Sequence, residues 1–223
     1  MTGTFVNTGA IVAGSMIGIA AGRRLPERLK VILMQALGLS TLLIGLQMAL
    51  SGKDVIPTIA CLLMGTVTGE LLRIEDGLDW IGRWLKDRTW PDSSTFVDGF
   101  VTTSLLYCTG AMVIVGSIQD GTTGNATTLY VKAMLDGVAS IAFSSTLGIG
   151  VIFSAISVFL VQGTLTLLAS KLAFLQDPAV LAAVTATGGL LIAAISINLL
   201  NLARIRIGNM LPALGYAIAW ALL

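Results

Sequence analysis

Apolar runs of the length needed to cross a bilayer follow one another along the whole chain, and this constrains the fold more than any single residue does. A hydrocarbon core is spanned by about 20 apolar residues in a helix. Such runs lie near 4–22, 31–50, 55–72, 96–118, 130–147, 149–170, 179–201 and 209–223. The chain is 55% hydrophobic and only 11% charged, where a soluble domain carries roughly 25% charged residues. An all-α integral membrane protein follows, a single polytopic membrane domain over 1–223 with about eight transmembrane helices. The last run is short, and only Gly148-Ile149-Gly150 separates the fifth from the sixth, so seven spans plus a broken or re-entrant helix fit as well. The glycines from Gly110 to Gly116 and from Gly148 to Gly150 are the places for breaks.

Charge sets the orientation. Loop 23–30 carries four basic residues, segment 73–95 carries Arg73, Arg83, Lys86 and Arg88, and loop 202–208 carries Arg204 and Arg206, whereas Lys53, Lys132 and Lys171 stand singly in the alternate connections. Basic residues gather on the cytoplasmic side, and with eight spans all three basic connections share one face, leaving both termini outside the cytoplasm. The first run has neither a basic leader nor an evident cleavage site, so it reads as a retained anchor. The segment 73–88 sets Ile74, Leu78, Ile81 and Leu85 at helical spacing beside Trp80 and Trp84, the pattern of a helix lying in the membrane interface.

Several chemistries are excluded. The net charge is +1 with no basic tract, which argues against nucleic acid. There is no histidine, and Cys61 and Cys108 sit in apolar runs without metal-binding spacing, so neither a His/Cys zinc site nor Ser-His or Cys-His catalysis can be built. No metal or cofactor and no enzymatic activity are expected. No nucleotide-binding motif occurs. Gly14, Gly18 and Gly22, and Gly65 and Gly69, are small-xxx-small patterns that bring helix backbones together, either inside the bundle or between copies in a homo-oligomer.

What remains is a handful of polar residues that lipid-facing helices do not need. Lys132 and Asp136 are four residues apart and face one way on a helix. Asp120 and Gln119 close the preceding run, and the four groups together could surround a cation or the amine of a small solute or form a structural network. Gln162 lies mid-span and Asn198 in the next span, suited to interhelical hydrogen bonds or to a polar path. Glu70 is either an interfacial carboxylate paired with Arg73 or a proton or cation ligand at the cytoplasmic mouth. Asp98 admits the same two roles, at a helix N-terminus that favours a carboxylate. Ionisable groups within a membrane are functional candidates by default. The stretches joining spans also repeat weakly: Gly45 to Gly65, Gly116 to Gly137 and Ala194 to Gly215 are separated by 20, 21 and 21 residues, with the third running opposite to the first two, as an inverted repeat or convergent apolar composition would give.

The phrases SLLYCTGAMVIVGSIQDG, KAMLDGVASIAFSSTLGIGVIFSA and GGLLIAAISINLLNLARIRIGNMLPAL, with MGTVTGELLRIE before them, resemble the bacterial domain of unknown function 554 family across nearly the whole chain. The resemblance implies a multi-pass protein of the bacterial cytoplasmic (inner) membrane, of a kind described as transporters, with no established substrate and no assigned residue. The function expected from both lines is a small secondary transporter or channel-like facilitator for a small polar solute or ion, coupled to protons or cations through Asp136, Asp120 or Glu70, and working as a homodimer in membrane lipid. The alternative is a scaffold or assembly factor recruiting partners through helix 73–88.

Overall fold

The computed structural model describes residues 1–22, 24–52 and 55–223; Arg23 and Lys53, which enter the charge bias above, lie outside the described residues. The described residues form ten α-helices: α1 (Thr2–Gly22), α2 (Glu27–Leu50), α3 (Val55–Leu72), α4 (Ile74–Thr89), α5 (Phe96–Cys108), α6 (Ala111–Thr123), α7 (Thr127–Leu147), α8 (Gly150–Leu167), α9 (Pro178–Leu199) and α10 (Pro212–Ala221). Short 3-10 turns precede α9 and α10, at Ala173–Gln176 and Ile207–Met210.

Burial is inverted relative to a soluble protein. Large apolar side chains point outward along α2, α3 and α7, with Leu43 at 59%, Leu63 at 62% and Met134 at 74% exposure, while Asn7, Ser117, Ser140 and Thr187 are fully buried. In water such a surface would be a large aggregation hazard, and in lipid it is the favoured outside. The chain is an all-α membrane protein. Among the described residues, α1, α2, α3, α8 and α9 are long and apolar enough to cross a bilayer, and α5 with α6, bent by 64° at their break, makes a sixth where the pair counts as one broken span. Of the eight runs anticipated, the two outside this selection are α7, which carries Lys132 and Asp136, and α10, which has ten residues.

The breaks fall at glycines. Gly110 (φ 138°) separates α5 from α6 and Gly148 (φ 75°) separates α7 from α8, conformations that glycine adopts without the steric penalty of a Cβ. The α9 start is encoded locally: the Asp177 carboxylate accepts from the Ala179 N–H over 2.8 Å, with Pro178 at the first helical position. In α4, Glu75 and Asp76 occupy the first turn and Lys86 and Arg88 the last, matching the helix dipole at both ends. The Arg88 guanidinium lies over the Trp84 ring at 4.8 Å.

Two compact units arise. In the first, α1 runs parallel to α7: added methyl groups at Gly14, Gly18 and Gly22 would strike the backbone of Gly137, Ile141 and Ser145 in turn. α5 runs parallel to α8, through Phe96 against Phe153 and Ser104 bonded to Ser157 over 2.9 Å. In the second unit, α3 is antiparallel to α10, Gly65 lying on Ala213 and Gly69 on Asn209, and α2 is antiparallel to α9, Gly38 on Leu200 and Gly45 on Ala193. The small-xxx-small patterns are therefore spent on contacts within the chain, where close backbone approach maximises van der Waals packing.

Candidate functional site

The first unit holds a buried polar layer. Lys132 and Asp136 of α7, 6% and 7% exposed, form the ion pair that their spacing predicts. α1 supplies a third member: the Asn7 side-chain amide donates to Asp136 Oδ2 over 3.0 Å. The Lys132 ammonium also faces the Tyr107 ring at 5.9 Å, and the Tyr107 hydroxyl shares a hydrogen bond with Ser140 at 2.9 Å. Inside a membrane protein a lone charge is unfavourable, and the pair with its amide partner reduces that cost.

Gln162 of α8 belongs to the same level. The hydroxyls of Thr4 and Thr166 lie 3.5 Å apart, and Ile11 shares an apolar cluster with Val158, so α1 and α8 run antiparallel and the residue midway between Val158 and Thr166 comes level with Asn7. Ser117 of α6 is in the same unit, one turn before Gly121, which packs against the Thr166 carbonyl. Gln162 and Ser117 are 1% and 0% exposed. Both ends of the Gln162 amide, the Ser117 hydroxyl and Asn7 Oδ1 have no hydrogen-bond partner among the described residues. Buried polar atoms nearly always have partners, and exceptions call for an explanation.

The other candidates are placed elsewhere. Asp120, 5% exposed, turns from α6 to the start of α1, accepting from the Gly3 N–H at 3.0 Å and lying 3.1 Å from the Met1 amine. It caps a helix N-terminus, where a carboxylate is favoured by orphan N–H groups and by the dipole. The expected four-group cluster around Lys132 is thus divided: Asp136 stays with Lys132, while Asp120 is bound to α1. Gln119 is half-buried and accepts from the Thr128 hydroxyl at 2.8 Å. Asp98 is exposed in the first turn of α5.

In the second unit Glu70 pairs with Arg206 over 2.6 Å and accepts from the Asn209 amide over 2.6 Å. Arg206 takes the place expected of Arg73, which sits with φ 53° at the break between α3 and α4. Asn209 also accepts from the Glu75 N–H over 2.7 Å, and Glu75 accepts from the Gly208 N–H over 2.6 Å. Burial, the largest influence, raises the Glu75 carboxyl above its ordinary value, opposed by the Gly208 N–H. Asn198 bonds both backbone groups of Ile205 at 2.8 Å. These residues brace the segment between α9 and α10 against α3 and α4. Of these residues, Glu70 is the one offered by the sequence as a proton or cation ligand at the cytoplasmic mouth, and it is paired with Arg206 and Asn209.

The residues that sequence reasoning missed are Ser117, one hydroxyl among many, and Asn7. Its signal was available, a lone amide within the first apolar run, but its partner is 129 positions away. Among the described residues no group of three His, Cys, Asp or Glu side chains could hold a metal ion.

The whole-chain pattern agrees with one family, described as Protein of unknown function (DUF554), which matches residues 2–222. The chain belongs to that family. Two relatives share its length: the uncharacterized protein YqgA of Escherichia coli (strain K12), 29% identical over 95% of this chain and 92% of its own, and the uncharacterized membrane protein YdfK of Bacillus subtilis (strain 168), 30% identical over 96% and 93%. No solved structure matches significantly.

Proposed function

We propose that the protein is a small secondary transporter or channel-like facilitator for a small polar solute or ion, with its binding layer in the first unit at Asn7, Ser117, Lys132, Asp136 and Gln162. One observation carries this reading: four buried polar atoms, from Asn7, Ser117 and Gln162, have no hydrogen-bond partner among the described residues, in the unit that also holds a buried ion pair. A purely structural core would leave these groups satisfied or replace them by apolar ones. Lys132 and Asp136 offset each other's charge, so the remaining acceptors and donors suit a zwitterion, an uncharged polar solute or a monovalent cation stripped of water. Asp136 is the group through which coupling to protons or cations would run. Asp120 and Glu70 drop behind it because Asp120 holds the start of α1 and Glu70 belongs to the second unit.

The layer does not require an enzyme, and no energy-supplying nucleotide motif occurs in the sequence. We place the protein in the bacterial cytoplasmic membrane with about eight crossings, α7 and the short α10 included, and as a homodimer in view of its small size. Its relatives come from two bacteria, and one is named as a membrane protein.

The test is flux into liposomes reconstituted with the purified protein, against panels of monovalent cations and amino acids under proton and sodium gradients. At least one solute should move with the wild type. Gln162→Leu should lower that flux tenfold or more while retaining the wild-type thermal midpoint. Wild-type vesicles that move no solute under any gradient would refute the proposal.

A further inference from the structure

The second unit contains a cavity of about 270 Å³ that the transport layer does not involve. Its walls come from α3, α9 and α10, and nearly every residue is short and apolar: Ala179 and Ala183 on α9, Cys61 on α3 and Ala217 on α10 are representative. Accessibility falls along α9, from exposed Ala179 at the mouth to Ala186 and Thr187, 1% and 0% exposed, at the floor. That distance is eight residues, about 12 Å of helix. The mouth is formed by helix ends, the start of α3 and α9 and the end of α10, with Trp220 half exposed beside it. It lies at the opposite end of α3 from Glu70, and tryptophan is typical of the membrane interface.

A slot lined with alanines could be mere loose packing, but the floor argues otherwise. Thr187 lines the cavity, and its hydroxyl is fully buried with no hydrogen-bond partner among the described residues. A hydroxyl in apolar surroundings is unfavourable unless it is bonded. A lipid tail or a neighbouring alanine-rich helix would fill the slot and leave this group unbonded. A charged headgroup would find no counter-charge among the described lining residues.

We propose that this cavity binds a small uncharged amphiphile, a linear or flat apolar body ending in a hydroxyl or carbonyl that bonds to Thr187, entering from the interface beside Trp220. Its size supports this class. A dry cavity of about 150 Å³ accepts benzene, and this one has room for a chain of eight or so carbons.

Trp220 provides the readout. With Trp80, Trp84 and Trp90 changed to Phe, Trp220 emission is followed in phosphatidylcholine vesicles as 8-bromo-1-octanol is added, its bromine quenching at short range. Saturable quenching is expected. Thr187→Val, which keeps the side-chain volume, should weaken the apparent affinity about fivefold, the effect of one lost neutral hydrogen bond. Ala183→Leu should abolish saturation, and 8-bromooctanoate should not compete. Gln162→Leu should leave the binding unchanged, which separates this site from the transport layer. The proposal is overturned if quenching rises in simple proportion to probe in wild type and Ala183→Leu alike. It is equally overturned if Thr187→Val binds as tightly as wild type, or if lipids brominated along the acyl chain quench Trp220 and displace the alcohol.

Discussion

The Asn7 amide of α1 donates to the Asp136 carboxylate of α7 over 3.0 Å, and the same carboxylate oxygen receives Lys132. A buried pair that loses one member leaves an uncompensated charge, at about 3–5 kcal/mol, whereas replacing both members by apolar residues is often nearly neutral. Asp136→Leu should therefore lower the thermal midpoint sharply, and Lys132→Met with Asp136→Leu should recover most of the loss. Unfolding followed in detergent checks the stability. Flux should be absent from both variants, because stability returns in the double variant and the charged pair does not.

The α1–α7 seam makes a second prediction through two glycines on one helix. A methyl group at Gly14 would collide with the Gly137 carbonyl, while one at Gly9 would meet nothing within 4 Å. Gly14→Ala should cost about 1–3 kcal/mol as overpacking does. Gly9→Ala should be neutral or stabilising by roughly 0.5–1 kcal/mol, since alanine is the better helix former. Thermal midpoints of the two variants measure the contrast.

Asp120 holds the first turn of α1 through the Gly3 N–H at 3.0 Å and the Thr2 hydroxyl at 3.5 Å. Asp120→Ala should cost about 0.5–2 kcal/mol, the range for losing a helix cap. Hydrogen exchange should rise at residues 2–6, and flux per folded molecule should persist.

Glu75 gives a pH dependence whose sign is fixed. Its carboxyl is raised above 4.5, first by burial and then by Asp79, against the lowering effects of the Gly208 N–H, Arg204 and Arg206. The folded state thus holds this proton more tightly than the unfolded chain does. The stability it contributes is full below pH 4.5 and is lost as the pH rises through the raised folded value. Relative to Glu75→Gln, the wild-type thermal midpoint should decline as the pH is brought from 4.5 to 8.

Local spacing made much of this legible. The run at 55–72 coincides with Val55–Leu72, and the interfacial pattern at 73–88 lies on Ile74–Thr89, because apolar length and helical periodicity are properties of contiguous residues. The Lys132–Asp136 pair was readable for the same reason, being one helical turn long. Asp120 was readable as a buried carboxylate, but its duty as the α1 cap was not, since Gly3 lies 117 positions away. Glu70 met Arg206 instead of the neighbouring Arg73 because tertiary placement decided the partner. Asn7 and Ser117 are unremarkable in isolation and gain meaning only when α1, α6 and α8 bury them, with Gln162, in one unit.

Whether hydrophilic molecules reach these residues is tested most directly by thiol labelling. With Cys61 and Cys108 replaced by alanine, Ser117→Cys is compared with Ser154→Cys; both serines are fully buried, but Ser154 is bonded to the Val151 carbonyl at 2.7 Å and Ser117 has no partner among the described residues. A small, water-soluble methanethiosulfonate should modify Ser117→Cys in reconstituted vesicles at least ten times faster than Ser154→Cys. Equal, negligible labelling at both positions would contradict the account.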